Sequence, residues 1–302
     1  MSSVKIYQSG FVALVGRPNV GKSTLLNAMV GKKLAIVSPR PQTTRQKIRG
    51  IWTTERGQVI FIDTPGIHKP KHRLGQYMVG LANSTLQEVD VVLFVIDGSD
   101  PFRPGDAMVS ERLQHVTTPV FLVVNKVDAI PKQNVLRVID HYRQQRSFTE
   151  VVPVSARTGD QVESLKELLL DCMPEGPQYY PEDELTDQPE KFIIEEIIRE
   201  KVLQLTRDEI PHSVMVEVEN MDLRQDNHVL YLRAIIYAER ESQKGIIIGK
   251  SGAMLKQVGQ LARRELEGLL GSKVFLELWV KVKNDWRNES VWLKRFGFDE
   301  EL

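Results

Sequence analysis

The apolar run Phe11-Val12-Ala13-Leu14-Val15 is followed at once by Gly16-Arg17-Pro18-Asn19-Val20-Gly21-Lys22-Ser23 and then by a helix-like pattern. Strand, glycine-framed loop and helix, in that order, are the context that a phosphate-binding loop requires. The glycines let backbone N–H groups turn inward onto phosphate oxygens, and the N-terminus of the following helix adds partial positive charge. Lys22 is therefore expected to neutralise the β- and γ-phosphates of a nucleotide, and the Ser23 hydroxyl to ligate Mg²⁺. Outward from this stretch, strand-length apolar runs at 59–62, 91–96, 120–124 and 151–154 alternate with helical patterns. That alternation predicts an α/β domain built on a mostly parallel sheet with helices on both faces. The extended stretch 48–54 leads through Gly57 into the next run, which predicts an antiparallel hairpin at one sheet edge.

A phosphate loop specifies a nucleoside triphosphate but not its base. Asn125-Lys126-Val127-Asp128 follows the run at 120–124. There Asp128 can accept hydrogen bonds from guanine N1–H and the exocyclic amine, a donor pair that adenine lacks. Ser155-Ala156 closes the next strand, and the Ala156 N–H is expected to meet guanine O6. Between the loop and these segments stands Asp63-Thr64-Pro65-Gly66. Asp63 is expected to hold Mg²⁺ through water and the Gly66 N–H to bond the γ-phosphate, so that this segment senses whether that phosphate is present. Thr43 and Thr44, in the segment PQTTR, offer the remaining hydroxyl for Mg²⁺; the sequence leaves the choice open, with Thr44 favoured. Lys22, Thr44, Asp63 and Gly66 thus stand closest to the reaction, and Ser23, Thr44 and Asp63 around the metal. Ile67 follows where Ras-like switches carry a water-orienting glutamine, and an isoleucine cannot hydrogen-bond water. Hydrolysis then rests on phosphate positioning, Mg²⁺, Lys22 and a further group, for which K⁺ held by Asn19 is a candidate.

The chain has 302 residues, which suits two domains. Its 41% hydrophobic and 26% charged content is that of a folded globular protein rather than a disordered one. A single cysteine, Cys172, excludes an internal disulfide framework. The first ten residues lack a signal-peptide profile and no apolar run approaches membrane-spanning length, so a cytoplasmic protein is expected. Residues 173–190 carry four prolines and many acids and read as a linker between a first domain, 1–172, and a second, 191–302. The second domain shows a helix pattern at 194–205, extended runs at 213–219 and 229–238, a glycine-punctuated stretch, a helix at 255–269 and a strand at 273–282, an α-β-β-(α)-α-β order.

Within that stretch lies Gly249-Lys250-Ser251-Gly252, preceded by isoleucines 246–248. Such a GxxG loop lets the backbone approach single-stranded nucleic acid closely, with a neighbouring helix and strand forming a cleft for about four nucleotides. Between 240 and 264 there are six basic residues against one acid, whereas 182–226 carries fourteen acids against five bases. A local cationic surface therefore exists although the net charge is zero. Lys244, Ile248, Gly249, Lys250, Ser251, Gly252 and Lys256 are the expected RNA contacts; the same basic surface also suits a protein or lipid partner. Trp279, Trp286 and Trp292 lie nearby and are expected to serve the core more than to stack on bases.

The set GRPNVGKS, PQTTR, DTPG, NKVD and VSA resembles the TrmE-Era-EngA group of translation GTPases. The element order around GKSG resembles a type II KH domain. The phrases IIREKV (197–202), YAERESQKGIIIGKSG (237–252) and LELWVKVKNDW (276–286) are similar to those of the Era family, over essentially the whole chain. The resemblance implies a P-loop GTPase that binds GTP or GDP with Mg²⁺ and binds the single-stranded 3′ end of 16S ribosomal RNA through its KH domain. It further implies a part in rRNA maturation and small (30S) subunit assembly, a monomeric state, and a cytoplasmic location with a peripheral fraction at the cell membrane.

Overall fold

In the computed structural model, which describes residues 6–67, 69–70, 72–224 and 228–298, each apolar run of the first half becomes a strand. The elements run β1 (Gln8–Val15), α1 (Lys22–Val30), β2 (Ile48–Thr54), β3 (Gly57–Asp63), α2 (Arg73–Thr85), β4 (Val91–Asp97), α3 (Pro104–Leu113), β5 (Val120–Asn125), α4 (Lys132–Gln145), β6 (Glu150–Pro153) and α5 (Val162–Asp171). They form a six-stranded sheet in the order β2-β3-β1-β4-β5-β6. All neighbours are parallel except β2 and β3, the expected edge hairpin. Strands β3, β4 and β5 are buried along their whole length, as strands covered on both faces must be. Ala13, Val15, Phe94, Ile96 and Leu122 point to one face and share a core with residues of α2, α3 and α4, while α1 and α5 pack on the other side of β1 and β3.

This arrangement gathers the chemistry at one end of the sheet. Leu14 pairs with Asp63 and Asp97 with Asn125 in register, so the loops after β1, β3, β4 and β5 leave the carboxyl edge together. In open α/β sheets that edge is where ligands bind.

The chain divides into two compact units, the boundary falling after Asp187, with 72–74 grouping with the second unit. The proline-rich stretch expected as a linker lies, up to Asp187, along the first unit rather than free of it. Ser9 N–H donates to Pro174 O at 3.0 Å and Ile51 N–H to Leu185 O at 2.9 Å. The buried Gln58 accepts from the Tyr179 and Tyr180 N–H groups and donates to Tyr180 O. The prolines hold the stretch extended, and its backbone groups find partners on β1, β2 and β3 instead of in a helix or strand of their own.

The second unit contains α6 (Glu190–Leu205), α7 (Ile210–Ser213), β7 (Met215–Arg224), β8 (Val229–Ala238), α8 (Glu241–Ile248), α9 (Ala253–Leu270), β9 (Lys273–Val282) and α10 (Ser290–Arg295). Its sheet has the order β7-β8-β9, with β7/β8 antiparallel and β8/β9 parallel. The first strand begins at Met215 rather than Ser213, because Pro211 near the start of α7 favours a helical turn. Ile194, Ile198 and Val202 of α6 and Val258, Ala262 and Leu266 of α9 cover one sheet face, where Leu232, Ala234 and Ile236 point. The other face is partly covered by the C-terminal stretch: Tyr237 contacts the rings of Trp292 and Phe296. Trp286 is fully buried and donates to Ser213 O at 2.9 Å, as a core tryptophan should, but Trp279 is 54% exposed. Among the described residues no helix is long and apolar enough to cross a membrane.

Candidate nucleotide and nucleic-acid sites

Gly21 adopts φ 99° at the start of α1. A Cβ there would fall 2.3 Å from Asn125 Nδ2, so the position demands glycine on both conformational and steric grounds. The turn delivers Lys22 and Ser23 into the site. Lys22 is 6% exposed, and its Nζ donates to the carbonyls of Gly16 and Arg17 at 3.2 Å each. Burial pushes its ammonium pKa down, against the attraction of Asp63.

Ser23 Oγ donates to Asp63 Oδ2 at 2.6 Å and lies 2.9 Å from Thr44 Oγ1, which donates to the same Asp63 oxygen at 3.1 Å. Thr43 turns its hydroxyl onto Arg40 O instead, at 2.6 Å. Asp63 is fully buried, and its Oδ1 has no hydrogen-bond partner among the described residues. Burial raises its carboxyl pKa, while Lys22, Ser23 and Thr44 oppose the rise. A buried carboxylate oxygen without a partner, beside two hydroxyls, is a hard oxygen set that fits Mg²⁺. The adjoining cavity, about 310 Å³, is lined by Asn19, Lys22, Ser23, Thr44 and Gly66, and also by residues 36–39, which the motifs did not flag. Gly66 packs so tightly on the loop that a Cβ would lie 2.9 Å from Pro18 N.

Asn125 ties three segments together: its Nδ2 donates to Val20 O at 2.8 Å and its Oδ1 accepts from Ala156 N at 3.0 Å. Lys126 reaches Asn19 O at 2.8 Å and Asp97 Oδ2 at 2.5 Å. Asp128 accepts from Ser155 Oγ at 2.6 Å on one oxygen and from Arg157 on the other. The Ser155 hydrogen bond, followed by the Arg157 charge, holds its carboxyl below the usual range, so it is an ionised acceptor ready for a pair of donors. Asp97 and Arg157 were not among the expected residues. Asp97 had a readable signal, since it ends the strand beside the one that ends in Asn125; Arg157 had none.

At several of the expected positions the side chain braces the fold. Arg17 donates to Asp100 O at 2.8 Å and pairs with the buried Asp106 of α3, so its guanidinium braces the loop. Thr64 bonds Leu14 O at 2.8 Å. Val20 is fully buried and Ile67 is 1% exposed. The Ile67 side chain joins the sheet core with Val15 and Phe94. Asn19, the candidate K⁺ ligand, has φ 68° and donates its amide to Pro39 O at 2.8 Å.

In the second unit the GxxG loop bends through positive φ at Gly249, Ser251 and Gly252. A Cβ at Gly249 would meet Met254 Cβ at 2.7 Å, so glycine is required there. Beside the loop lies a groove of about 420 Å³ between α9 and β9, lined by Gly252, Leu255, Lys256, Gly259, Gln260, Arg263, Phe275, Leu276 and Leu278. Of the expected RNA contacts, Gly252 and Lys256 line it, and Lys250 and Ser251 precede Gly252 in the exposed loop. Lys244 pairs with Glu241 and Ile248 packs against the core. The groove's Gly259, Arg263 and Phe275 were missed, because only the fold brings helix and strand together. Lys250, Lys256, Arg263 and Arg264 enter no ion pair among the described residues, so the groove's cationic side is uncompensated.

A family described as 50S ribosome-binding GTPase matches residues 11–126, and the KH domain family matches residues 209–287. A crystal structure of a variant of Aquifex aeolicus Era bound to GDP·AlF4⁻ is similar at 42% identity and TM-score 0.92, covering 96% of this chain and 99% of that one. A structure of Era in complex with MgGDPNP and nucleotides 1506–1542 of 16S ribosomal RNA is similar at 43% identity and TM-score 0.92, covering 97% and 99%.

Proposed function

We propose a GTP-controlled RNA-binding cycle for this chain, which belongs to the Era family of GTPases. In it Lys22 and the N-terminus of α1 hold the β- and γ-phosphates, and Asp128 with the Ala156 N–H reads guanine. Ser23, Thr44 and Asp63 hold Mg²⁺. The metal, when bound, neutralises charge that develops on the transferring phosphate. Gly66 donates its N–H to the γ-phosphate, a reading supported by its close packing on the loop at Pro18. The segments that carry Thr44 and Gly66 are therefore ordered by GTP and released on hydrolysis.

The output is binding of the single-stranded 3′ end of 16S ribosomal RNA in the groove beside Gly249–Gly252, in support of small-subunit maturation. The observation that carries the phosphate half is the convergence of the Ser23 and Thr44 hydroxyls on one oxygen of the buried Asp63 carboxylate, whose other oxygen has no partner among the described residues. For the RNA half it is the GxxG loop opening onto a groove with uncompensated cations. Substituting Gly249→Asp or Lys250→Asp should abolish capture of a single-stranded 16S 3′-end oligonucleotide while GTP binding persists. Unchanged capture would assign the basic surface to a protein or lipid.

A further inference from the structure

The outer face of the three-stranded sheet keeps aromatic rings that the groove does not consume. Side chains alternate along β9, so Val274 and Val280 enter the core while Phe275, Glu277, Trp279 and Lys281 face away. Phe275 and Trp279 are each 54% exposed. Tyr231, the register partner of Phe275 on β8, lies with its ring centroid 5.1 Å from that of Phe275. The C-terminal stretch covers the far end of this face, over Tyr237, and leaves Phe275 and Trp279 open.

Beside Phe275 and Trp279 the charges are paired, while Lys273 at the start of β9 enters no ion pair among the described residues. Arg233 bonds Glu277 at 2.8 Å, Lys281 meets Glu219 at 3.4 Å, and Trp279 Nε1 donates to Glu277 at 3.0 Å. A face whose cations are mostly paired draws phosphates weakly, but exposed rings in a sheet are stacking surfaces for unpaired bases. Phe275 belongs to both surfaces: it lines the groove with Lys256 and Arg263 and adjoins the open face. The cations of the groove would track the backbone, while the rings beyond it would take bases.

We propose that single-stranded RNA leaving the groove crosses the β9 edge and stacks bases on Phe275 and Trp279, two platforms about 13 Å apart at roughly 3.3 Å per residue. The proposal rests on the RNA-binding reading above. It is tested by fluorescence titration of the full-length protein with two single-stranded oligonucleotides of the 16S 3′ end, one of four nucleotides and one of ten. Trp279→Ala and Phe275→Ala should each weaken the long oligonucleotide about tenfold or more. The four-nucleotide affinity should barely change for Trp279→Ala, and Trp279→Phe should restore much of the loss. Equal affinity of Trp279→Ala and wild type for the long oligonucleotide would overturn the platform and assign the rings to a protein partner. So would an equal loss for both lengths, which would mark Trp279 as part of the groove's own structure. Failure of the wild type to bind either length would instead bring down the underlying reading.

Discussion

Thr43 and Thr44 are neighbours with the same side chain, yet only Thr44 joins Ser23 at Asp63, because Thr43 spends its hydroxyl on Arg40 O. The letters favour Thr44 without deciding between them; the path of the loop separates them. Thr44→Ala should therefore weaken GTP binding at saturating Mg²⁺ by about tenfold or more, the scale of losing a charge-assisted contact. Thr43→Ala should stay near wild type. Titrating nucleotide affinity against Mg²⁺ distinguishes the two, and a larger loss in Thr43→Ala would reverse the assignment. The residues proposed to read the base were picked out in the sequence by their place after a buried strand, Asp128 among them. Asp128→Asn should move preference from GTP towards xanthosine triphosphate in competition binding; a variant that still prefers GTP would disprove that role. What stayed hidden was Arg157 on the second Asp128 oxygen, a contact made across a turn.

At the scale of elements, the strands were legible because fully buried strands must be continuous apolar runs, and β2 appeared at 48–54 as expected. A cleft beside the GxxG loop was expected, with Lys256 on it, but its strand side was not legible, because Phe275 shares no periodicity with the helix. Nor was the role of Glu195 of α6, which is largely buried and accepts the Val218 N–H at 2.8 Å, at a bulge in β7. Burial pushes its carboxyl up to about 7, with the Val218 bond and Lys191 opposing the rise and Glu196 and Glu217 adding to it. A carboxyl whose folded pKa exceeds its unfolded one favours folding when protonated. Its contribution is full below the ordinary carboxylate range and is lost as pH rises through about 7. In urea unfolding, Glu195→Gln should match wild type near pH 4.5 and exceed it by roughly 2–3 kcal/mol at pH 8. A constant difference across that range would contradict the assigned environment.

For the whole molecule, a net charge of zero conceals a division between an acidic stretch, 182–226, and the basic one around the GxxG loop. The sum says nothing about partners, whereas the arrangement does. Two units built from separate cores allow a nucleotide-dependent domain and an RNA-binding domain to be joined in one chain, and in the proposed cycle the first governs the second. A ligand shifts an equilibrium only through different affinities for its two states, so coupling must appear as a change in RNA affinity with the nucleotide. The direct test is the dissociation constant for the single-stranded 16S 3′ end, measured on the same protein loaded with a non-hydrolysable GTP analogue or with GDP, at fixed Mg²⁺ and salt. Tighter binding in the analogue-loaded protein, by about 5-fold or more, is the result expected for typical allosteric coupling; equal affinity in the two states would contradict it.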